Sequence, residues 1–242
     1  MSSSQQKIAL ITGANRGLGF EIGRQLARQG IQVIMGVRDA AKGQIALQRL
    51  QKDGLTVAFQ CLDVTDSESI ESIRSHIDKN YGKLDILINN AGVCLDVGQN
   101  PSEVSLDIVR QTLETNFIGA VAVTQALLPL IHKSEAGRIV NMSSGRGSLT
   151  QHSEPNCHYA KTLAYNSSKT ALNSFTVMLA AELKDTNIKV NSADPDWCRT
   201  DMGTEAATHS AEEGADTPVW LATLSAEGST GGFFNSRHPI PW

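Results

Sequence analysis

The stretch Lys7-Ile-Ala-Leu-Ile-Thr-Gly-Ala-Asn-Arg-Gly-Leu-Gly19, continued by Phe20-Glu-Ile-Gly-Arg-Gln-Leu-Ala-Arg-Gln29, decides the reading of this chain. Lys7 to Thr12 is a short apolar run of buried-strand type. Glycines follow at Gly13, Gly17 and Gly19, and from Phe20 the apolar positions Ile22, Leu26 and Ala27 recur at helical spacing. Strand, glycine turn and helix in that order open a βαβ unit, and Gln32 to Val37 closes it as a second strand.

The alternation continues outward. Asp39 is placed to cap a helix running to about Asp53, Gly54 stops it, and Thr56 to Cys61 is a third strand. Asp66 to Asn80 reads as an amphipathic helix, Leu84 to Ile88 as a fourth strand, and 102–113 and 116–131 as two helical segments. A fifth strand at Ile139 to Met142 precedes a loop over Gly145 to Asn156. A helix from about Leu163 to Lys184 and a sixth strand at Ile188 to Ser192 come next. The tail holds a helix near Asp216 to Ser225 and a short strand near Gly232 to Phe234. Strands alternating with helices imply parallel pairing with right-handed crossovers. The expected fold is a single α/β domain over residues 1–242, a Rossmann-type doubly wound parallel sheet of about seven strands with helices on both faces. Residues 1–6 read as a polar tail and about 195–214 as a lid loop over the substrate.

Composition narrows the function classes. The chain has 242 residues, 40% hydrophobic content and a net charge of −4, which argues against a nucleic-acid surface or a basic membrane patch. The N-terminal segment lacks the charged, apolar and small-residue order of a signal peptide. The best apolar run, Gly119 to Ile131, is broken by Thr124, Gln125 and Pro129, so no membrane partner is expected. Cys61, Cys94, Cys157 and Cys198 are widely spaced and read as free thiols of a reducing compartment, most simply the cytoplasm. The six histidines show no metal-ligand spacing, and no metal is expected.

In an open α/β sheet, ligands bind beyond the C-terminal strand ends, and the first strand–turn–helix is the phosphate cradle. A turn rich in Gly13, Gly17 and Gly19 at that place points to a dinucleotide. Folds that prefer NAD carry an acid after the second strand, where this chain has Arg38. Arg38, helped by Arg16, would pair with a 2′-phosphate, which favours NADPH/NADP+; the alternative is a surface charge beside the helix cap. Asp63 and Val64 lie at the same rim, where Asp63 either accepts from an adenine amino group or caps a turn. Tyr165 and Lys169 stand four apart on the expected helix and so share a face. An ammonium beside a phenol lowers the phenol from its ordinary value of about 10 and yields a proton donor and acceptor usable near neutral pH.

Thr12-Gly-Ala-Asn-Arg-Gly-Leu-Gly19, Asn89-Asn-Ala-Gly92, Asn116, Asn141-Met-Ser-Ser144 and Tyr165-Asn-Ser-Ser-Lys169 stand in the order of the short-chain dehydrogenase/reductase family. The chain resembles that family over about residues 7 to 235, and its carbonyl reductase branch most. The resemblance implies NADPH-dependent reduction of a ketone or aldehyde. Tyr165 would be the proton donor, Lys169 would lower its pKa and bond the nicotinamide ribose, and Ser144 would hold the substrate oxygen. Asn116 would hold a water that links Lys169 to solvent. Asn15 and Leu18 in the glycine turn, Asn90, Ala91 and Gly92, and Pro195, Cys198 and Thr200 after the sixth strand would contact the cofactor. Without the resemblance, Ser143 and Ser144 read equally as hydroxyls satisfying a strand end, and Asn116 as an amide pinning a helix.

The chain departs from the family at Pro195-Asp196, where relatives usually have Pro-Gly. Asp tolerates positive φ, so the turn is expected to survive, with its carboxylate either in solvent or altering substrate choice. His152, His158, Tyr159 and Leu163 are candidates for the substrate mouth or for a solvated loop, and Trp197, Met202 and 203–214 for a mobile lid. Two other functions stay open: a catalytically weak nucleotide-binding sensor or structural protein, and NAD-linked alcohol oxidation. The expected partner is a small-molecule carbonyl substrate. For self-association, a homodimer or homotetramer through 116–131 and 163–184 and a monomer are both open.

Overall fold

A computed structural model describes residues 6–242, so all of the expected polar tail except Gln6 lies outside the described residues. Strand β1 (Ile8–Thr12) is followed by helix α1 (Gly17–Arg28), β2 (Gln32–Val37), α2 (Ala40–Lys52) and β3 (Val57–Cys61). Then come α3 (Ser67–Tyr81), β4 (Ile86–Asn89), α4 (Leu106–Leu113), a π-helical turn (Glu114–Ile118) and α5 (Gly119–Ile131). The second half holds β5 (Arg138–Met142), α6 (Leu149–Ser153), α7 (Leu163–Glu182) and β6 (Lys189–Asp194). It closes with α8 (Ala211–Gly214), α9 (Asp216–Ala222), β7 (Phe233–Asn235) and β8 (His238–Pro239).

The strands form one sheet in the order β3-β2-β1-β4-β5-β6-β7-β8. Every pairing is parallel except β7 with β8. The order reverses at β1, which pairs with β2 on one side and β4 on the other, so a crevice opens beyond their C-terminal ends. Strand alternation divides the core. Ile8 and Leu10 of β1 join Ile73, Ile77, Val123, Leu127 and Leu179 on one face, while Ala9 and Ile11 join Ile22, Leu26, Leu50 and Val219 on the other. Burial of both faces explains why the strands read as continuous apolar runs rather than alternating ones.

Local chemistry explains most boundaries. Asp39 caps α2 by accepting the N–H groups of Ala41 and Lys42, and Asp66 caps α3 through Glu68 and Ser69. Gly82 ends α3 in the left-handed region at φ 71°.

The sheet has eight strands among the described residues, not seven. The extra strand, β8, follows a tight turn in which Ser236 and Arg237 take φ of 47° and 63°. Such turns usually advertise themselves with Gly or Asn, and this one does not. β6 runs on to Asp194 because Ala193 and Asp194 pair with Phe234 and Asn235. The Gly145 to Asn156 loop contains a 3-10 turn and α6, whose cap is Ser148. The expected lid loop also ends in order, since Ser210 and Glu213 form a capping box on α8.

The two segments expected at 102–113 and 116–131 are one continuous helix from Leu106 to Ile131, with the π turn inside it. Its first turns start only at the Ser105 cap. By length and composition this 26-residue helix is apolar enough to cross a membrane. Here Val123, Leu127, Leu130 and Ile131 are buried in the core.

Candidate active site

The glycine turn is shaped from two sides. Gly13 and Gly17 take φ of 66° and 55°, a region that L side chains rarely adopt. From β4, the Thr12 hydroxyl accepts the N–H groups of Asn90 and Ala91, both at 2.9 Å. The Asn90 amide donates back to the carbonyls of Thr12 (2.8 Å) and Gly13 (3.2 Å). A Cβ at Gly19 would come within 2.4 Å of that amide, so glycine is required there. The turn therefore delivers the α1 N-terminus to the crevice. Arg16, its N-cap, makes no side-chain cap, and the first turn holds no acid. Uncapped N–H groups at a helix start favour an anion.

A groove runs from this cradle across the switch point. Its walls include Gly13, Asn15, Arg16, Gly17, Leu18, Gly19, Arg38, Asp63, Val64, Asn90, Ala91, Gly92, Tyr165, Lys169, Pro195 and Thr200. One expected cofactor contact is not among them. Cys198 is buried below the lid, where its thiol donates to the Pro195 carbonyl at 3.0 Å and burial pushes its pKa up to about 11. Met202, expected on the lid, also lines the groove, as do Lys42 and Thr115, which carried no sequence signal; Lys42 reaches it from the first turn of α2. At the same rim burial works to raise the Asp63 carboxyl. Hydrogen bonds from the Thr65 N–H and hydroxyl, with the Arg38 charge, nevertheless hold it below the usual range. Arg16, which lines the groove along with Arg38, also pairs its guanidinium with Asp201 on the lid.

The reactive cluster sits where β5 ends against α7. The Ser144 side chain stands close enough to the Tyr165 phenol to work against the rise in its pKa, and Ser144 Oγ accepts the Arg146 N–H at 3.2 Å. The buried hydroxyl of Ser143 has no partner and faces the groove. Lys169 Nζ donates to the Met142 carbonyl at 2.7 Å and lies 5.5 Å from the centre of the Tyr165 ring. This corrects the expected pKa relation. Burial pushes the Tyr165 phenol upward, opposed by Arg146 and Ser144, while burial takes Lys169 down to about 8. Desolvation wins because the ammonium is spent on a carbonyl rather than on the phenol oxygen.

Asn116 lies in the π turn with both ends of its amide committed. Its Oδ1 accepts the Val93 N–H at 2.8 Å, and its Nδ2 donates to the Val93 carbonyl (2.8 Å) and the Ser168 hydroxyl (2.9 Å). A Cβ at Gly92 would stand 3.4 Å from Asn116 Oδ1 and 3.6 Å from Lys169 Nζ, so the three residues converge. Committed in this way, the Asn116 side chain is a fastener between the loop after β4 and α7.

Three residues near this cluster carried no sequence signal. Asp96, fully buried, accepts the Ala164 N–H at the start of α7. Asp194, 8% exposed, accepts from the Asp196 N–H and the Asn235 amide, and burial pushes its carboxyl above the usual range. Arg146 holds its guanidinium 5.9 Å from the Tyr165 ring centre.

Around the mouth, Tyr159 is half-buried, donates to Gln151 at 3.2 Å, and packs against His152 and His158. Leu163, Trp197 and Met202 are 40%, 46% and 49% exposed, leaving apolar surface at this edge. Asp196 has φ 66°, as the Gly it replaces would allow, and its carboxylate accepts the Trp197 N–H on the exposed side of the turn. Among the described residues, no group of three His, Cys, Asp or Glu side chains is placed to hold a metal ion.

Residues 7–211 match the short chain dehydrogenase family. The carbonyl reductase (NADPH) 1 of Mus musculus is 34% identical over 284 residues, spanning 99% of this chain and 100% of the relative. The Bos taurus protein of the same name is 34% identical over 281 residues with the same coverage. Among solved structures, the NADPH-bound carbonyl reductase from chicken fatty liver superposes with a TM-score of 0.87 at 28% identity, over 98% of this chain and 100% of that one. Salutaridine reductase from Papaver somniferum gives 0.84 at 29% identity, over 96% and 100%.

Proposed function

Because the chain belongs to the short-chain dehydrogenase family, we propose that it is an NADPH-dependent reductase converting the carbonyl of a small ketone or aldehyde to an alcohol. The observation that carries this reading is the single groove that brings Tyr165 and Lys169 together with the glycine turn and Asn90 to Gly92.

The groove suits a phosphorylated dinucleotide on several counts. The α1 N-terminus is uncapped, and a Cβ at Gly13 would stand 3.0 Å from the Ala91 Cα. Arg38 and Lys42 supply positive charge at the rim where a 2′-phosphate would lie, and Ser143 offers an unpaired hydroxyl at the opposite end. When bound, NADPH supplies the hydride.

The residues of the chain divide the remaining work. The Ser144 hydroxyl donates to the carbonyl oxygen and orients it. Negative charge grows on that oxygen as the carbonyl is reduced, so donors aimed at it stabilise the transition state. Tyr165 gives the oxygen its proton as a general acid. Lys169 holds its ammonium 5.5 Å from the centre of the Tyr165 ring and would bond the nicotinamide ribose. Asn116 fixes the loop after β4 against α7 through Val93 and Ser168, and a water relay at this position would use its backbone. Asp196 is exposed, with its carboxylate turned to the Trp197 N–H and the Asn235 amide. A cytoplasmic location accords with the free cysteines.

The test is direct. Purified protein is mixed with NADPH and a panel of ketones and aldehydes, and loss of nicotinamide absorbance is followed. Turnover with NADPH and little with NADH is expected; no turnover across the panel, or a clear NADH preference, overturns the reading.

A further inference from the structure

The substrate side of Tyr165 carries a cation that the reaction itself does not require. Arg146 lies in the 3-10 turn Gly145–Gly147, two residues after Ser144, and its guanidinium carbon is 5.9 Å from the Tyr165 ring centre. The residue is half-buried. Its guanidinium makes no hydrogen bond or ion pair to any described residue; the Arg146 contacts are those of its backbone N–H with Ser144 and its carbonyl with His152. A planar group with five donors, partly withdrawn from water and left without an acceptor, is incomplete.

The surroundings say what would complete it. The Arg146 charge acts on three groups around the mouth, favouring the ionised forms of Tyr165, Tyr159 and Cys94. Arg146 does not line the cofactor groove, so its charge is not used on the phosphates. Acidic groups are present on the same side but are engaged elsewhere. Asp194 is held by donors from Asp196 and Asn235, and Asp196 is turned to Trp197 and Asn235. The free partner at this mouth is therefore the guanidinium, not a carboxylate.

We propose that Arg146 is a specificity-determining residue that anchors an anionic group, a carboxylate in the first instance, on a carbonyl substrate whose oxygen lies at Ser144 and Tyr165. This rests on the carbonyl-reductase reading and adds the charge of the substrate to it. The guanidinium fork matches a carboxylate in bidentate geometry, and both groups shed part of their water on entering the mouth, which strengthens the contact. The keto acid is thereby fixed at two points, the carbonyl at Ser144 and the carboxylate at Arg146.

The test compares 3- and 4-acetylbenzoate with their methyl esters, all with NADPH, in wild type, Arg146→Gln and Arg146→Lys. At least one acid is expected to exceed its ester in kcat/KM by about 10- to 100-fold, mostly through KM. Arg146→Gln should erase that preference while leaving ester turnover within about threefold, and Arg146→Lys should restore part of it. Esters that match or exceed both acids in the wild type overturn the proposal, as does an equal loss for acid and ester in Arg146→Gln. If no ketone is reduced, the carbonyl reading itself fails. The anion site is then read from thermal stabilisation by the two acids, expected in wild type and absent in Arg146→Gln; its absence in wild type also overturns the proposal.

Discussion

The buried carboxylate of Asp96 accepts the backbone N–H of Ala164 at 2.7 Å, one residue before Tyr165. Thr162, the local N-cap of α7, makes no side-chain cap, so the first turn of the helix that carries Tyr165 and Lys169 is capped from a loop 68 residues away in sequence. The same loop is tied to the π turn through Val93 and Asn116. The reactive phenol is thus positioned by two contacts from one loop.

Asp96→Ala is expected to lower stability by about 1–2 kcal/mol, seen as a loss of roughly 2–8 °C in Tm. Asp96→Asn, which keeps an acceptor oxygen, should lose less. Since the cap fixes Tyr165, kcat should fall in step across the two variants. An Ala variant with wild-type Tm and kcat would show that α7 needs no cap.

Tyr165→Phe removes the proton donor and keeps the ring. We expect kcat for a neutral ketone to drop by about 10²- to 10⁴-fold while NADPH affinity, read by fluorescence titration, stays within about threefold. Near-wild-type turnover would remove Tyr165 from the mechanism.

Lys169 carries a pH signature in the cofactor-free protein. Its folded value of about 8 lies below the ordinary 10.5, so burying the ammonium costs stability. Below about pH 8 both folded and unfolded states hold the proton and the cost is fully present; between 8 and 10.5 the folded state releases it first, and stability rises with pH. Lys169→Met should therefore be more stable than wild type near pH 7 by about 1–3 kcal/mol, after the lost bond to Met142 is counted. The gap should close as the pH approaches 10.5. Urea unfolding at a series of pH values reads this; a gap of constant size would contradict it.

The cations at the groove rim should not be equivalent. Arg38→Ala is expected to raise KM for NADPH by about 10- to 100-fold with kcat and NADH kinetics little changed. Arg16→Ala should change it by less than about threefold, because Arg16 is paired with Asp201 on an exposed surface. Equal effects of the two would show that Arg16 leaves Asp201 when the cofactor binds.

Asp196→Gly relieves a residue at φ 66° but gives up the Trp197 N–H contact. The two effects oppose, and stability should stay within about 1 kcal/mol of wild type with unchanged kinetics on neutral ketones. A changed substrate preference would bring Asp196 into the site.

Most of the fold was legible because parallel strands buried on both faces leave continuous apolar runs, as in Ile8 to Thr12 and Gln32 to Val37. The missed elements lack such marks. β8 is two residues long and follows a turn built from Ser236 and Arg237, and the π turn at Glu114–Ile118 carries Asn116, whose amide grips Val93 across the fold. In the site, the glycine turn and the Tyr165–Lys169 pair could be read from short spacings, while Ser144 was singled out only by the family resemblance. Asp96, Arg146 and Asp194 could not, since each acts on a residue that only folding brings near.

By itself the sequence determined the alternation of strands and helices, the glycine cradle, the charge at Arg38 and the four-residue spacing that puts Tyr165 and Lys169 on one face of α7. Those are local matters of periodicity, turn geometry and charge. The tertiary structure decided how the pair is tuned: burial moves the phenol up and the ammonium down, and the Lys169 proton goes to the Met142 carbonyl. It also decided that Arg16 is spent on Asp201 and that Arg146 is left free over Tyr165. Desolvation and partner choice depend on which atoms fill the space around a group, and only the packed fold supplies those atoms.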